Sequence, residues 1–162
     1  MEAATPVSLD EYLSTSYDPD VEYVDGVLEE RCIGEWLHSL THRNIIYALS
    51  RNHPDMYVLP SLRSNTATTR YRLPDVSVLL VAPATTYLLD PAHIVIEILA
   101  SDDRVTKVLE KLAEYEAKGV PHIWIVDPRL KLMSEYHSGD LKRVDTFRAG
   151  GIELSSAEIF LE

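Results

Sequence analysis

Apolar residues recur along the chain with two periods, and each predicts an element type. Val21-Glu22-Tyr23-Val24, then Asp25-Gly26, then Val27-Leu28-Glu29-Glu30 reads as a β-hairpin, because Asp-Gly suits a type I′ turn. Apolar runs at residues 76–81, 94–99 and 123–126 predict buried strands, the last stopped by Asp127-Pro128. Residues 57–60 predict another strand, and residues 132–137 and 141–147 a hairpin around Ser138-Gly139-Asp140. The threonine-rich stretch 63–72 fits either a strand or an extended loop.

Helical spacing appears in four places. Ser8-Leu9-Asp10-Glu11 is a capping-box pattern that opens a short helix near Tyr12. Residues 34–51 form a helix that Asn52-His53-Pro54-Asp55 breaks. Residues 104–118 place Val105, Val108, Leu109, Leu112 and Tyr115 on one face, and Gly119 follows as the natural stop. A short helix at residues 157–160 closes the chain. The order predicts an α/β (α+β) fold: a central mixed sheet flanked by helices, with a parallel strand pair joined through helix 104–118.

With 162 residues, 46% hydrophobic and 25% charged, the chain is expected to form one soluble domain over residues 1–162. No apolar run is long enough to span a membrane, and the first residues lack a signal-peptide pattern. Cys32 is the single cysteine, which excludes an internal disulfide and suits the cytoplasm. A net charge of −11 argues against tight nucleic-acid binding, though not against a nuclease whose acids surround a metal. Arg63, Arg70, Arg72, Lys142 and Arg143 are the candidates for a local basic patch.

Within this pattern one residue is out of place. Glu97 shares a strand face with Val95 and Leu99, so it is not the polar half of an alternation, and burying an unpaired carboxylate is costly. Asp75, opening the preceding strand, and Lys107 or Lys111, on one face of the following helix, could compensate it. Two acids on neighbouring strands plus a lysine can hold a divalent cation and a phosphate. Glu22 on the first hairpin is a further acid, which by itself reads as an exposed hairpin residue. Glu35, His38 and His42 are spaced for one helix face and raise the alternative of zinc, although Ser39 stands where the zincin pattern needs glutamate. Phosphate-binding glycine loops and nucleophile-elbow motifs are missing from the sequence.

Taken together, an ordered set of segments resembles the Uma-type restriction endonuclease family, within the PD-(D/E)XK nuclease superfamily. It comprises Glu22-Tyr23-Val24-Asp25-Gly26, His42, Arg72-Leu73-Pro74-Asp75-Val76-Ser77-Val78 and Ile94-Val95-Ile96-Glu97-Ile98-Leu99. It continues in Lys111-Leu112-Ala113-Glu114-Tyr115, Gly119-Val120-Pro121 and Ile123-Trp124-Ile125-Val126-Asp127-Pro128. The resemblance implies a restriction-endonuclease-like fold in which Asp75 and Glu97 bind the metal, Lys111 is the catalytic lysine, Glu22 is an additional acid and His42 is a recurrent histidine. The superfamily's usual lysine, two residues after the second acid, is Leu99 here, so the lysine has moved to the helix. Lys107 replaces an acid common one turn earlier, and Ala100-Ser101 replaces a Ser-Pro.

The expected activity is metal-dependent DNA endonuclease cleavage, with Asp75, Glu97 and the Ile98 carbonyl holding Mg²⁺ or Mn²⁺ and Lys111 acting on the attacking water or the phosphate. DNA is the expected partner, bound weakly, and a homodimer matches the dyad of a duplex. The alternatives are a non-catalytic nucleic-acid- or protein-binding module that keeps the nuclease fold and, less strongly, a zinc hydrolase.

Overall fold

The computed structural model describes residues 5–31 and 34–161; Cys32 lies outside the described residues. Helix α1 (Leu9–Ser14) starts where the Ser8 side chain accepts the Glu11 N–H at 3.1 Å. The first hairpin follows, β1 (Glu22–Val24) and β2 (Val27–Glu29), with positive φ at both Asp25 and Gly26, as a type I′ turn requires. Helix α2 (Trp36–Asn52) begins two residues later than the spacing predicts, because Glu35 is its N-cap residue.

The ambiguous stretch resolves as a second hairpin, β4 (Ser64–Ala67) and β5 (Arg70–Arg72), preceded by β3 (Tyr57–Pro60). β5 pairs with β1, giving a four-stranded sheet in the order β2-β1-β5-β4 that the sequence pattern does not reveal. Next come β6 (Val76–Leu79), β7 (Ile94–Ile98), α3 (Val105–Lys118) and β8 (His122–Asp127). β6 is shorter than predicted: Leu80 and Val81 are exposed beyond its end.

The predicted single strand 141–147 is two strands. β10 (Asp140–Arg143) pairs with β9 (Leu132–His137), and β11 (Thr146–Ala149) turns away to pair with β12 (Ile152–Ser155) before α4 (Ser156–Ile159). The turn between β11 and β12 is Gly150-Gly151, with Gly150 at φ +62°, a hairpin signal between two alternating segments.

The main sheet has the order β10-β9-β8-β7-β6-β3 and is mixed: β7 and β8 are parallel, joined through α3, and the other pairs are antiparallel. Every residue of β7 is buried. Ile94, Ile96 and Ile98 face α2, joining Ile45, Leu49, Phe147, Leu154 and Ile159 in one core. Val95 packs on the other face with Leu112 and Tyr115 of α3, and this is the face that carries Glu97. Gly119, in the left-handed region at φ +104°, ends α3 as predicted. Among the described residues no helix is long and apolar enough to cross a membrane.

Candidate active site

The antiparallel register sets the site. Val76 lies opposite Ile96, so one step back along β6 brings Asp75 beside Glu97. Both acids are buried, and both line a cleft of about 590 Å³ between the β1–β2 hairpin, the strand ends and α3. Ile98, Lys107, Lys111 and Glu22 line the same cleft. Seven of its lining residues are acidic and four basic, so the wall of the cleft is net negative.

Asp75 is held from three sides. Its Oδ1 accepts from Arg31 Nη2 at 2.6 Å and lies 3.3 Å from His38 Nε2, and its Oδ2 accepts the Ile98 N–H at 2.8 Å. Burial would raise its pKa, but His38, the Arg31 charge and the Ile98 N–H outweigh burial and hold it well below the usual carboxylate range. His42 Nε2 donates to the Asp75 carbonyl at 2.7 Å; burial lowers the His42 pKa, so the ring is neutral at pH 7.

Glu97 is the opposite case. Burial pushes its carboxyl up to about 8, Asp75 and Glu22 add to the rise, and Lys111 and a 2.6 Å hydrogen bond from the Tyr115 hydroxyl oppose it. Two carboxylates whose surroundings drive their titrations apart are the pattern expected where chemistry is done.

That contrast has a measurable consequence for the metal-free protein. The folded pKa of Glu97 stands above its ordinary value of 4.5. The unfolded chain therefore releases a proton that the fold retains, and stability falls as pH rises across that window. Glu97→Gln removes the effect and is expected to be more stable than wild type by about 1–3 kcal/mol at pH 8, the gain fading toward pH 4.5. Denaturant melts at the two pH values check this. A variant less stable than wild type at pH 8 would show that the burial of Glu97 is already compensated.

Lys111 Nζ sits 2.9 Å from Glu22 Oε1. Burial would lower its pKa, but Glu97 and Glu22 more than offset this and keep it charged. Lys107, one turn earlier, is 59% exposed on its side chain and lies 3.7 Å from Glu29 at the rim. Of the two lysines that the sequence leaves open, Lys111 is the inner one.

Glu22 is fully engaged. Its Oε1 accepts the Leu73 N–H as well as Lys111, and its Oε2 accepts from Arg72. Arg72, 2% exposed, also reaches Glu29 at 3.2 Å and makes a bidentate pair with Glu114 at 2.8 and 2.6 Å. Arg70 pairs with Asp25, Glu110 and Glu114, and Arg63 pairs with Asp20 while stacking on Tyr12. The arginine patch that the sequence suggests is thus corrected: Arg63, Arg70 and Arg72 are committed to internal ion pairs. Lys142 and Arg143 remain exposed on β10.

The zinc alternative is not formed. Glu35 turns to the Ser101 hydroxyl and N–H, while His38 and His42 both turn to Asp75. Among the described residues no three of His, Cys, Asp and Glu are grouped to hold a metal. The donor set near Glu97 is different: two buried carboxylates from adjacent strands beside the backbone of Ile98. The two carboxylates are hard oxygen donors, which suit a cation such as Mg²⁺ or Mn²⁺ with water completing the shell. The sequence pattern misses Tyr115, Arg31 and His38 as neighbours of the two acids. Tyr115 was legible as the i+4 partner of Lys111; nothing local signals Arg31.

A mixed sheet with paired acids at the ends of β6 and β7 and a helix alongside defines the restriction-endonuclease-like class of nuclease fold. The crystal structure of a protein from Anabaena variabilis, titled a "putative nuclease belonging to DUF820", superposes with a TM-score of 0.79 at 20% identity, covering 96% of this chain and 98% of that one. The chain belongs to the Uma2 family, described as "Putative restriction endonuclease", whose model matches residues 9–161. No curated protein matches it.

Proposed function

We propose that the protein is a metal-dependent DNA endonuclease that hydrolyses phosphodiester bonds. The observation that carries this reading is the meeting of Asp75, Glu97 and Lys111 in one cleft of a nuclease fold. Asp75, Glu97 and the Ile98 carbonyl would hold Mg²⁺ or Mn²⁺. When bound, the ion would lower the pKa of a water and offset charge building on the phosphate. Lys111 orients the attacking water or a phosphate oxygen through its charge. Glu22 holds Lys111 in place, and Tyr115 fixes the rotation of the Glu97 carboxylate. The acidic cleft accounts for weak, transient DNA binding. Residues 1–162 work as one domain, in the cytoplasm and as a homodimer that matches the duplex dyad; a mass measurement in solution decides the dimer.

Incubation with supercoiled plasmid in Mg²⁺ or Mn²⁺ tests the activity. Nicking is expected, and it is lost both with EDTA and in Glu97→Gln. Cleavage that survives Glu97→Gln would remove Glu97 from the site. A second reading, a binding module retaining the fold, is favoured by the charge of −11 and by the internal use of Arg63, Arg70 and Arg72. It predicts metal-induced stabilisation without cleavage of any DNA form.

A further inference from the structure

Arg31 follows β2 in the chain, and among the described residues its guanidinium makes two side-chain hydrogen bonds. Nη2 donates to Asp75 Oδ1 at 2.6 Å, and Nη1 donates to Ser61 Oγ at 2.8 Å. Ser61 adopts φ +46°, an uncommon backbone conformation for a residue other than glycine. It is the turn after β3 that presents this hydroxyl. Asp75 is buried, and its hydrogen bonds from Arg31 and the Ile98 N–H, with His38 close by, use most of the roughly four lone-pair positions a carboxylate offers.

A guanidinium against the carboxylate that is to bind a metal has two effects. It supplies the positive charge the buried acid needs, and it repels a second cation brought to the same oxygens. The surroundings also give it room to leave. Arg31, Asp75 and Glu30 line both the cleft containing Glu97 and Lys111 and a second cavity of about 820 Å³ that reaches His38 and His42.

We propose that Arg31 is a built-in counter-ion for Asp75 that competes with the divalent metal, so that metal loading and release of the Arg31 side chain into the cleft are coupled. The inference rests on the metal site proposed above. Arg31 is a positioning residue here: it acts through Asp75 and sets how tightly the site takes its ion.

Mn²⁺ binding to the full chain, followed by titration calorimetry, tests the coupling without any cleavage assay. Arg31→Gln is expected to bind Mn²⁺ about tenfold more tightly than wild type and to melt at a lower temperature without metal. Arg31→Lys, which keeps the charge, is expected to stay within about threefold of wild type. A cooperatively folding Arg31→Gln with equal or weaker Mn²⁺ affinity overturns the proposal while leaving the metal site standing. Mn²⁺ binding that is absent from wild type and Arg31→Gln alike overturns both. If Arg31→Gln does not fold, Ser61→Ala removes the hydrogen bond from Arg31 Nη1 and leaves the one to Asp75 in place. Tighter Mn²⁺ binding there supports the competition, and unchanged affinity refutes it.

Discussion

Lys111→Gln is expected to lower plasmid cleavage by about 10²- to 10³-fold, the scale on which a single electrostatic stabiliser acts in a water-poor site. The ammonium sits 2.9 Å from Glu22 Oε1, and the acids around it keep it protonated against the pull of burial. A lysine in that condition contributes charge and hydrogen bonds, not a base, so the pH–rate profile should show no limb from its titration. Glutamine keeps a donor for Glu22, so the fold is expected to survive, and Mn²⁺-induced stabilisation should be retained. Lys107→Gln, at an exposed rim position, is expected to change cleavage by less than about threefold. A larger loss at Lys107 than at Lys111 would transfer the role to the outer lysine. A loss under about fivefold at Lys111 would leave it a structural partner of Glu22.

The second large effect concerns stability. Arg72→Met is expected to destabilise the metal-free protein by about 3–5 kcal/mol, because it strands buried carboxylates instead of replacing a whole ion pair. For a chain of this size that corresponds to a fall in Tm of about 6–20 °C. Glu22 keeps Lys111 and the Leu73 N–H, so Glu114 carries much of the penalty, its remaining partners being Arg70 and Thr66. The sign with pH follows from Glu114. Burial alone would raise its pKa, but hydrogen bonds and charge from Arg72, then Arg70, hold it below the ordinary value. The stability it contributes is present above the unfolded pKa near 4.5 and is lost as pH falls through the lower folded value. The cost of Arg72→Met should therefore shrink on acidification. Urea melts at pH 7 and pH 4 read this directly, and a cost below about 1 kcal/mol at pH 7 would refute the account.

The parts of this molecule that were legible in the sequence are those specified by local rules. A type I′ hairpin needs only Asp25-Gly26, and α3 needs only its apolar stripe and Gly119. Glu97 announced itself because an acid flanked on its own face by Val95 and Leu99 conflicts with the strand around it, and such conflicts mark functional positions. The pairing of β5 with β1 was not legible, since it joins residues far apart through Tyr71 and Tyr23, and short strands with mixed composition carry no register of their own. The arginines misled for a related reason. Arg72 looks like surface charge until long-range packing brings Glu22, Glu29 and Glu114 around it. Gly150-Gly151 was a readable signal that the longer strand reading at residues 141–147 obscured.

The small four-stranded sheet meets α3 largely through charges and hydrogen bonds: Arg70 and Arg72 to Glu110 and Glu114, Lys118 to Asn65, Lys107 to Glu29 and Lys111 to Glu22. The floor of the cleft, in contrast, is built on the apolar packing of β7 and β8. Dissolved salt weakens exposed charge pairs and leaves apolar contacts intact. The rim pairs of Lys107 and Arg70 should therefore loosen first and the buried Arg72 last, so the contact between the small sheet and α3 weakens in steps as the electrolyte around the molecule is concentrated.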